Sequence, residues 1–387
     1  MNPSEENIRA QLEKYLSYLS HDPNNPNLVA QVADFYYQLG EFDNARDLIN
    51  RMLEDNYDVG LKFRLSNIAI ASGHPEEAEG ILRELQQHGI DNGAIQYNLA
   101  YSLVFLNNFS EARDILQPLV DRNDEMAPAA ATLLTRCYHH LGDLDEGIKI
   151  AEQYVGNHEQ DAEALGVLAL ICYDAQQEST AKKWAEKAVK LDDTNLEARI
   201  ALGAMALATQ NDKVAENNFK KALQRNPRSG RAWSGMGLTD MLKLDIKSAV
   251  HDLKKAVDYM PNHIGTWHAL AWCQLLLDDI QGAKESLDKA MEIDHNFGET
   301  HGGLAVIAVL EGRLEDAKTL ARKAVLLDPD SFSGRFAQSL LASKTDPQKA
   351  QQIIQQIFES KPGGSDVSIK ETLNTFLRNK SQKNKPH

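Results

Sequence analysis

The stretch Leu196–Ser229, LEARIALGAMALATQNDKVAENNFKKALQRNPRS, reads as two amphipathic helices and a stop. Leu202, Gly203 and Ala206 share one face of the first helix; Ala215, Phe219 and Ala222 share one face of the second. Pro227 ends the pair, because proline has no N–H with which to continue a helical ladder. Moved on by 34 residues, the frame returns as Trp233, Met236, Gly237, Ala249, Leu253, Ala256 and Pro261. It returns again as Trp267, Leu270, Ala271, Ala283, Leu287 and Ala290, then as Leu304, Ala305, Gly312, Ala317, Ala321, Ala324 and Pro329. A fixed period of this length, with small residues where helices cross, is the mark of a helical repeat array, so the expected fold is all-α.

Outward from that stretch, earlier repeats start near Pro26, Val59, Gly93, Pro128 and Ala162. Later ones start near residues 230, 264, 298 and 332, the last of them degenerate. No single helix pair can bury its apolar face alone, so each must stack on the next. A row of alanines, among them Ala45, Ala78, Ala112, Ala181 and Ala215, allows close helix approach. Gly147 interrupts this row at a cost of about 1 kcal/mol in helix propensity. That glycine, or the polar loop RNDEMAP before it (122–128), is the expected soft point. The expected organisation is a half repeat over 1–25, with Leu12, Leu16 and Leu19 on one side of its helix, then five repeats over 26–195. Five more follow over 196–360, then a closing helix over 361–379 capped by Asp366, and a tail over 380–387 expected to be disordered.

These residues resemble tetratricopeptide repeats, about ten of them over roughly 26–360, most strongly where Trp233-x-x-Met236-Gly237 and Trp267-x-x-Leu270-Ala271 stand. The resemblance implies a right-handed α-solenoid whose first helices line a concave groove holding a peptide or helix.

The chain holds 41 basic and 56 acidic residues, a net charge of −15, which speaks against nucleic acid as a partner. The imbalance is uneven: residues 1–195 carry 15 basic against 33 acidic residues, and the remainder carries 26 against 23. Two differently charged binding surfaces, or ordinary solubility charge, both account for it. The opening MNPSEENIRAQ has neither a basic stretch nor an apolar run, so no signal peptide is expected. No run is apolar enough to span a membrane. Cys137, Cys172 and Cys273 are widely spaced within first helices, as small hydrophobes. A cytoplasmic location is the matching expectation.

No glycine-rich phosphate loop, HExxH, CxxC or nucleophile elbow occurs, so no catalytic residue, metal or cofactor is assigned. His139 and His140 are adjacent and point about 100° apart on a helix, which suits a surface pair better than a metal site.

Positions 4, 7, 8 and 11 of each first helix face the core, which puts positions 2, 6, 9 and 13 opposite. In the early repeats that face, with its neighbours, holds Arg64, Asn67, Tyr97, Asn98, Tyr101, Arg136 and His140. Asparagine amides can pair with the N–H and C=O groups of an extended peptide, arginines can fork onto carboxylates, and tyrosines give rigid contact area. Tetratricopeptide modules that clamp a C-terminal carboxylate need a lysine at position five, where this chain has Ala30, Phe63, Tyr97 and Thr132. In the later repeats the same face is apolar, with Leu238, Met241, Trp272, Leu275, Val306 and Val309 as anchors for an amphipathic helix. Gly235, Ala269 and Gly303 beside them leave room for a close backbone. Such a strip is covered by a partner, by a second copy in a homodimer, by neighbouring first helices, or by the chain's own Val367, Leu373, Phe376 and Leu377.

The reading is therefore a non-enzymatic interaction scaffold or chaperone-like adaptor that binds a protein or peptide. Its alternative is a regulatory subunit that modulates or delivers a catalytic partner.

Overall fold

The computed structural model describes residues 3–55, 57–122, 125–343 and 345–360, with 368, 370, 371 and 374. Among them are twenty-one α-helices and no strand. None of these helices is long and apolar enough to cross a membrane. The chain divides into two compact units, Met1–Leu191 and Asp192–His387.

In the first unit, α1 (Pro3–His21) precedes five helix pairs. The first helices are α2 (Pro26–Gln38), α4 (Val59–Ala71), α6 (Gly93–Phe105), α8 (Ala127–Leu141) and α10 (Ala162–Asp174). Their partners are α3 (Phe42–Asp55), α5 (Pro75–Gln87), α7 (Phe109–Arg122), α9 (Leu144–Asn157) and α11 (Glu178–Leu191). Helix α1 buries Leu12 and Leu19 and leaves Leu16 exposed. It is held to the first pair by an edge-on contact of Tyr15 with Phe35 and by the Arg9–Glu41 ion pair.

The second unit repeats the plan. Its first helices are α12 (Leu196–Ala208), α14 (Gly230–Lys243), α16 (Ile264–Leu276), α18 (Gly298–Leu310) and α20 (Phe332–Ser343). The second helices are α13 (Asp212–Arg225), α15 (Ile246–Tyr259), α17 (Ile280–Ile293), α19 (Leu314–Leu327) and α21 (Pro347–Glu359). The closing helix and tail expected beyond 360 lie almost wholly outside the described residues, as does the middle of the RNDEMAP loop.

The pairs share their local devices. Most first helices open on a side-chain oxygen that accepts from a backbone N–H three residues on, as Asp58, Asn92, Asp161 and Asn195 do at 2.8–3.1 Å, whereas α8 and α18 have no such cap. All but α20 close in a left-handed residue fifteen places into the repeat. This residue is Gly40, Gly73, Gly142 or Gly312 (φ 72–81°), or else Asn107, Gln176, Gln210, Leu244 or Asp278 (φ 55–64°). The next N–H then reaches back five residues, as from Glu41 to Tyr36 O and from Arg313 to Ala308 O, both at 2.8 Å. This bond satisfies a carbonyl that the helix end would otherwise leave unpaired.

The second unit adds a tether. The side chain at position 4 donates to the carbonyl six residues earlier: Arg199 to Asp193, Trp233 to Pro227, Trp267 to Pro261, His301 to His295 and Arg335 to Pro329, at 2.7–3.0 Å. The loop ahead of each pair is thus fixed by the pair it introduces.

The alanine row sits at the helix crossings, fully buried. Gly147 is a correction to the expected soft point. A Cβ there would stand 2.5 Å from Ile171 Cδ1 and 3.0 Å from Tyr138 Cβ, so α8 and α10 close over this glycine. The gap in the row is filled by Ile171, and the crossing is tight.

Candidate functional site

Position 9 of one first helix faces position 6 of the next, and this register builds a groove across α2, α4 and α6. Asp34 on α2 accepts from Arg64 on α4 through both oxygens, Nε to Oδ1 at 3.0 Å and Nη2 to Oδ2 at 3.2 Å. One step on, Asn98 Nδ2 on α6 donates to Asn67 Oδ1 on α4 at 2.6 Å. Together with Tyr37, Tyr97 and Tyr101, these four polar residues line a cavity of about 340 Å³. Its floor is aliphatic: Ala33, Ile68 and Ile70. Tyr97, Tyr101 and Phe105 follow one another along α6 with ring centroids 6.1 and 5.1 Å apart. Burial first, then the neighbouring Tyr101 and Glu163, push the Tyr97 phenol above its ordinary value, so it stays a neutral donor.

Five of the seven residues expected in the polar groove thus line one cavity: Arg64, Asn67, Tyr97, Asn98 and Tyr101. Arg136 lies outside its lining and pairs with Glu163 at 2.9 Å. His140 stacks face to face on Phe109, centroids 4.2 Å apart, while His139 bonds Asp174 at 2.5 Å. The two histidines therefore turn to different neighbours. Among the described residues no cluster of three His, Cys, Asp or Glu side chains is placed to hold a metal. The cysteines are free and buried, and burial pushes the Cys137 and Cys172 thiols up to about 12 and Cys273 up to about 11. Of the five lining residues that the sequence reading does not assign to the site, Asp34 and Tyr37 are the polar and aromatic ones. Asp34 was on the correct face but lacked its partner, and Tyr37 stands one position short of the face assigned by helical geometry.

The apolar strip of the second unit needs correction. Leu238 is 40% exposed, and Leu276 and Leu310 are 65% and 53% exposed. Met241, Trp272 and Leu275 are half-buried. Val306 and Val309, however, are 2% and 7% exposed and belong to the core between α18 and α20. The cause is backbone proximity: a Cβ on Gly302 would stand 2.3 Å from the Gly334 nitrogen. Trp272 turns inward too, packing edge-on to Phe332 at 5.9 Å and tilted against Phe336 at 6.1 Å. At the two glycines read as room for a partner, that room is taken by the chain itself. A Cβ at Gly235 would meet the Phe219 ring at 2.3 Å, and one at Gly303 would meet Leu287 at 2.8 Å.

Two family models, both described as tetratricopeptide repeat, match residues 69–136 and 264–297. No curated protein matches by sequence. Among solved structures, the chain is similar to one in the crystal structure of the APC/C hetero-tetramer Cut9–Hcn1. That match has a TM-score of 0.53 and 14% identity over 91% of this chain and 76% of that one. It is also similar to a monomeric mutant of IFIT1 solved with m7Gppp-AAAA, with a TM-score of 0.58 and 13% identity over 91% of this chain and 88% of that one. At such identities the likeness establishes the architecture. The helix pairs, their period and the matched segments make this chain a tetratricopeptide-repeat protein.

Proposed function

We propose that the protein is a non-catalytic interaction scaffold whose first unit binds an extended polypeptide segment of a partner. The observation that carries this reading is the Asn67–Asn98 pair in the wall of the cavity. The bond uses one amide hydrogen and one carbonyl oxygen, and leaves the Asn67 amino group and the Asn98 oxygen without a partner among the described residues. Exchanging O and N in both amides leaves the same inventory, one donor group and one acceptor. That is the complement of a peptide unit in an extended chain, which offers one C=O and one N–H. The excess of acidic residues in 1–195 favours a polar or basic segment, through steering more than through contact. In the second unit the exposed remainder of the strip, Leu238, Leu276 and Leu310, serves as a smaller apolar contact for a helix of the partner.

The test is a peptide-display selection on the full chain, repeated with the N67A/N98A variant. Selection of segments that bind the native chain and lose at least about tenfold in affinity for the variant supports the reading. Equal recovery on both proteins overturns it.

A further inference from the structure

The cavity also sets which side chain that segment inserts, an inference that rests on the groove reading above. Its one cation and one anion neutralise each other through two hydrogen bonds, so no net charge faces the space they enclose. A carboxylate entering would compete with Asp34 for Arg64, and an ammonium or guanidinium would compete with Arg64 for Asp34. Either exchange leaves one charge of the resident pair without its partner, so a charged side chain trades one solvent-screened pair for another and gains nothing net from entering. The rest of the lining is three tyrosine rings over Ala33, Ile68 and Ile70, surfaces that favour a flat apolar body packed edge-on or offset. We propose that the cavity takes an uncharged aromatic side chain of the partner segment, with the Asn67–Asn98 amides holding the adjacent peptide unit. The Asp34–Arg64 pair acts as a filter against charged side chains at this position.

The filter makes the preference switchable. Asp34 and Arg64 are each more than a third exposed, so removing one leaves the fold intact. R64Q leaves the Asp34 carboxylate without its partner and creates a demand for a cation. D34N leaves the guanidinium and creates a demand for an anion.

The experiment uses the full chain and capped nonapeptides of sequence Lys-Gly-Ser-Ser-X-Ser-Ser-Gly-Lys, with Trp, Arg or Glu at X, titrated by calorimetry. The native chain binds the Trp peptide at least about tenfold more tightly than the other two. R64Q moves the preference toward Arg and D34N moves it toward Glu, with melting curves reporting the fold of each variant. Equal binding of all three peptides to the native chain, abolished by N67A/N98A, overturns the filter and leaves the groove. A preference for Arg or Glu by the native chain also overturns it. Absence of binding by every peptide contradicts the filter and the groove together.

Discussion

Asn98 donates from its amide to the carbonyl of Asn67 at 2.6 Å, joining two first helices across a repeat boundary. The bond lies on the cavity wall, so it is at once part of the stacking between repeats and part of the recognition surface. Replacing Asn98 with alanine separates the two contributions. Stability falls by about 1 kcal/mol, the usual net value of one such bond, as read by urea denaturation. Affinity for a selected segment falls further, by about tenfold or more, because both the acceptor and the fixed orientation of Asn67 are lost.

Leu244 occupies the left-handed turn with φ 64° and an exposed side chain. Four other repeats place glycine there. A Cβ in this conformation costs about 1–2 kcal/mol, partly offset by the extra freedom glycine has when unfolded. L244G therefore raises the urea midpoint, by an amount corresponding to about 0.5–1 kcal/mol, and G142A lowers it by about 1 kcal/mol.

Gly147 sets two rules against each other. Helix propensity makes G147A a gain of about 1 kcal/mol, whereas overpacking against Ile171 and Tyr138 makes it a loss of about 1–3 kcal/mol. The contact distances decide for the loss. The double variant G147A/I171V recovers part of it, since it removes the methyl group that the new Cβ meets; denaturation of both variants measures the difference.

Asp240 and Asp252 are buried at the two positions that, one repeat later, hold the hydrogen-bonded Gln274 and Ser286. Burial first, then the charge of Asp240, push the Asp252 carboxyl above the usual carboxylate range, against the pull of His251, Lys255 and Lys243. The folded chain therefore binds this proton more tightly than the unfolded chain. Stability from this site is fully present below the unfolded value of about 3.9 and is lost as pH rises through the higher native value. D252N removes that slope: its urea midpoint exceeds the native one at pH 7 and matches it near pH 3. A midpoint difference independent of pH would contradict the assignment.

The helix pairs were legible because a period of 34 residues with alanines at the crossings admits one arrangement, and the first helices open at Val59, Gly93, Ala162 and Leu196 where that period places them. Helical geometry also sufficed for Arg64, Asn67, Asn98 and Tyr101, which share a face within their own helices. It failed where the neighbour belongs to another helix. Arg64 reads as a free guanidinium until Asp34, thirty residues earlier, is set opposite it. Val306 and Val309 read as anchors for a partner, with cover by neighbouring first helices as the alternative, and the structure takes the alternative. The signal that decides this is the glycine pair Gly302 and Gly334, which lets α20 press against α18. Gly147 misled for a related reason, since propensity describes one helix and Ile171 comes from another.

The central claim is that the α2–α4–α6 groove holds a partner's segment, and photo-crosslinking in cells tests it most directly. A benzophenone amino acid replaces Tyr101 in the cavity or, as a control, Val214, an exposed residue on a second helix. The account predicts a discrete crosslinked protein from position 101 that is absent from position 214 and disappears in the N67A/N98A background. The same products from both positions, or a product from position 101 unchanged by N67A/N98A, would contradict it.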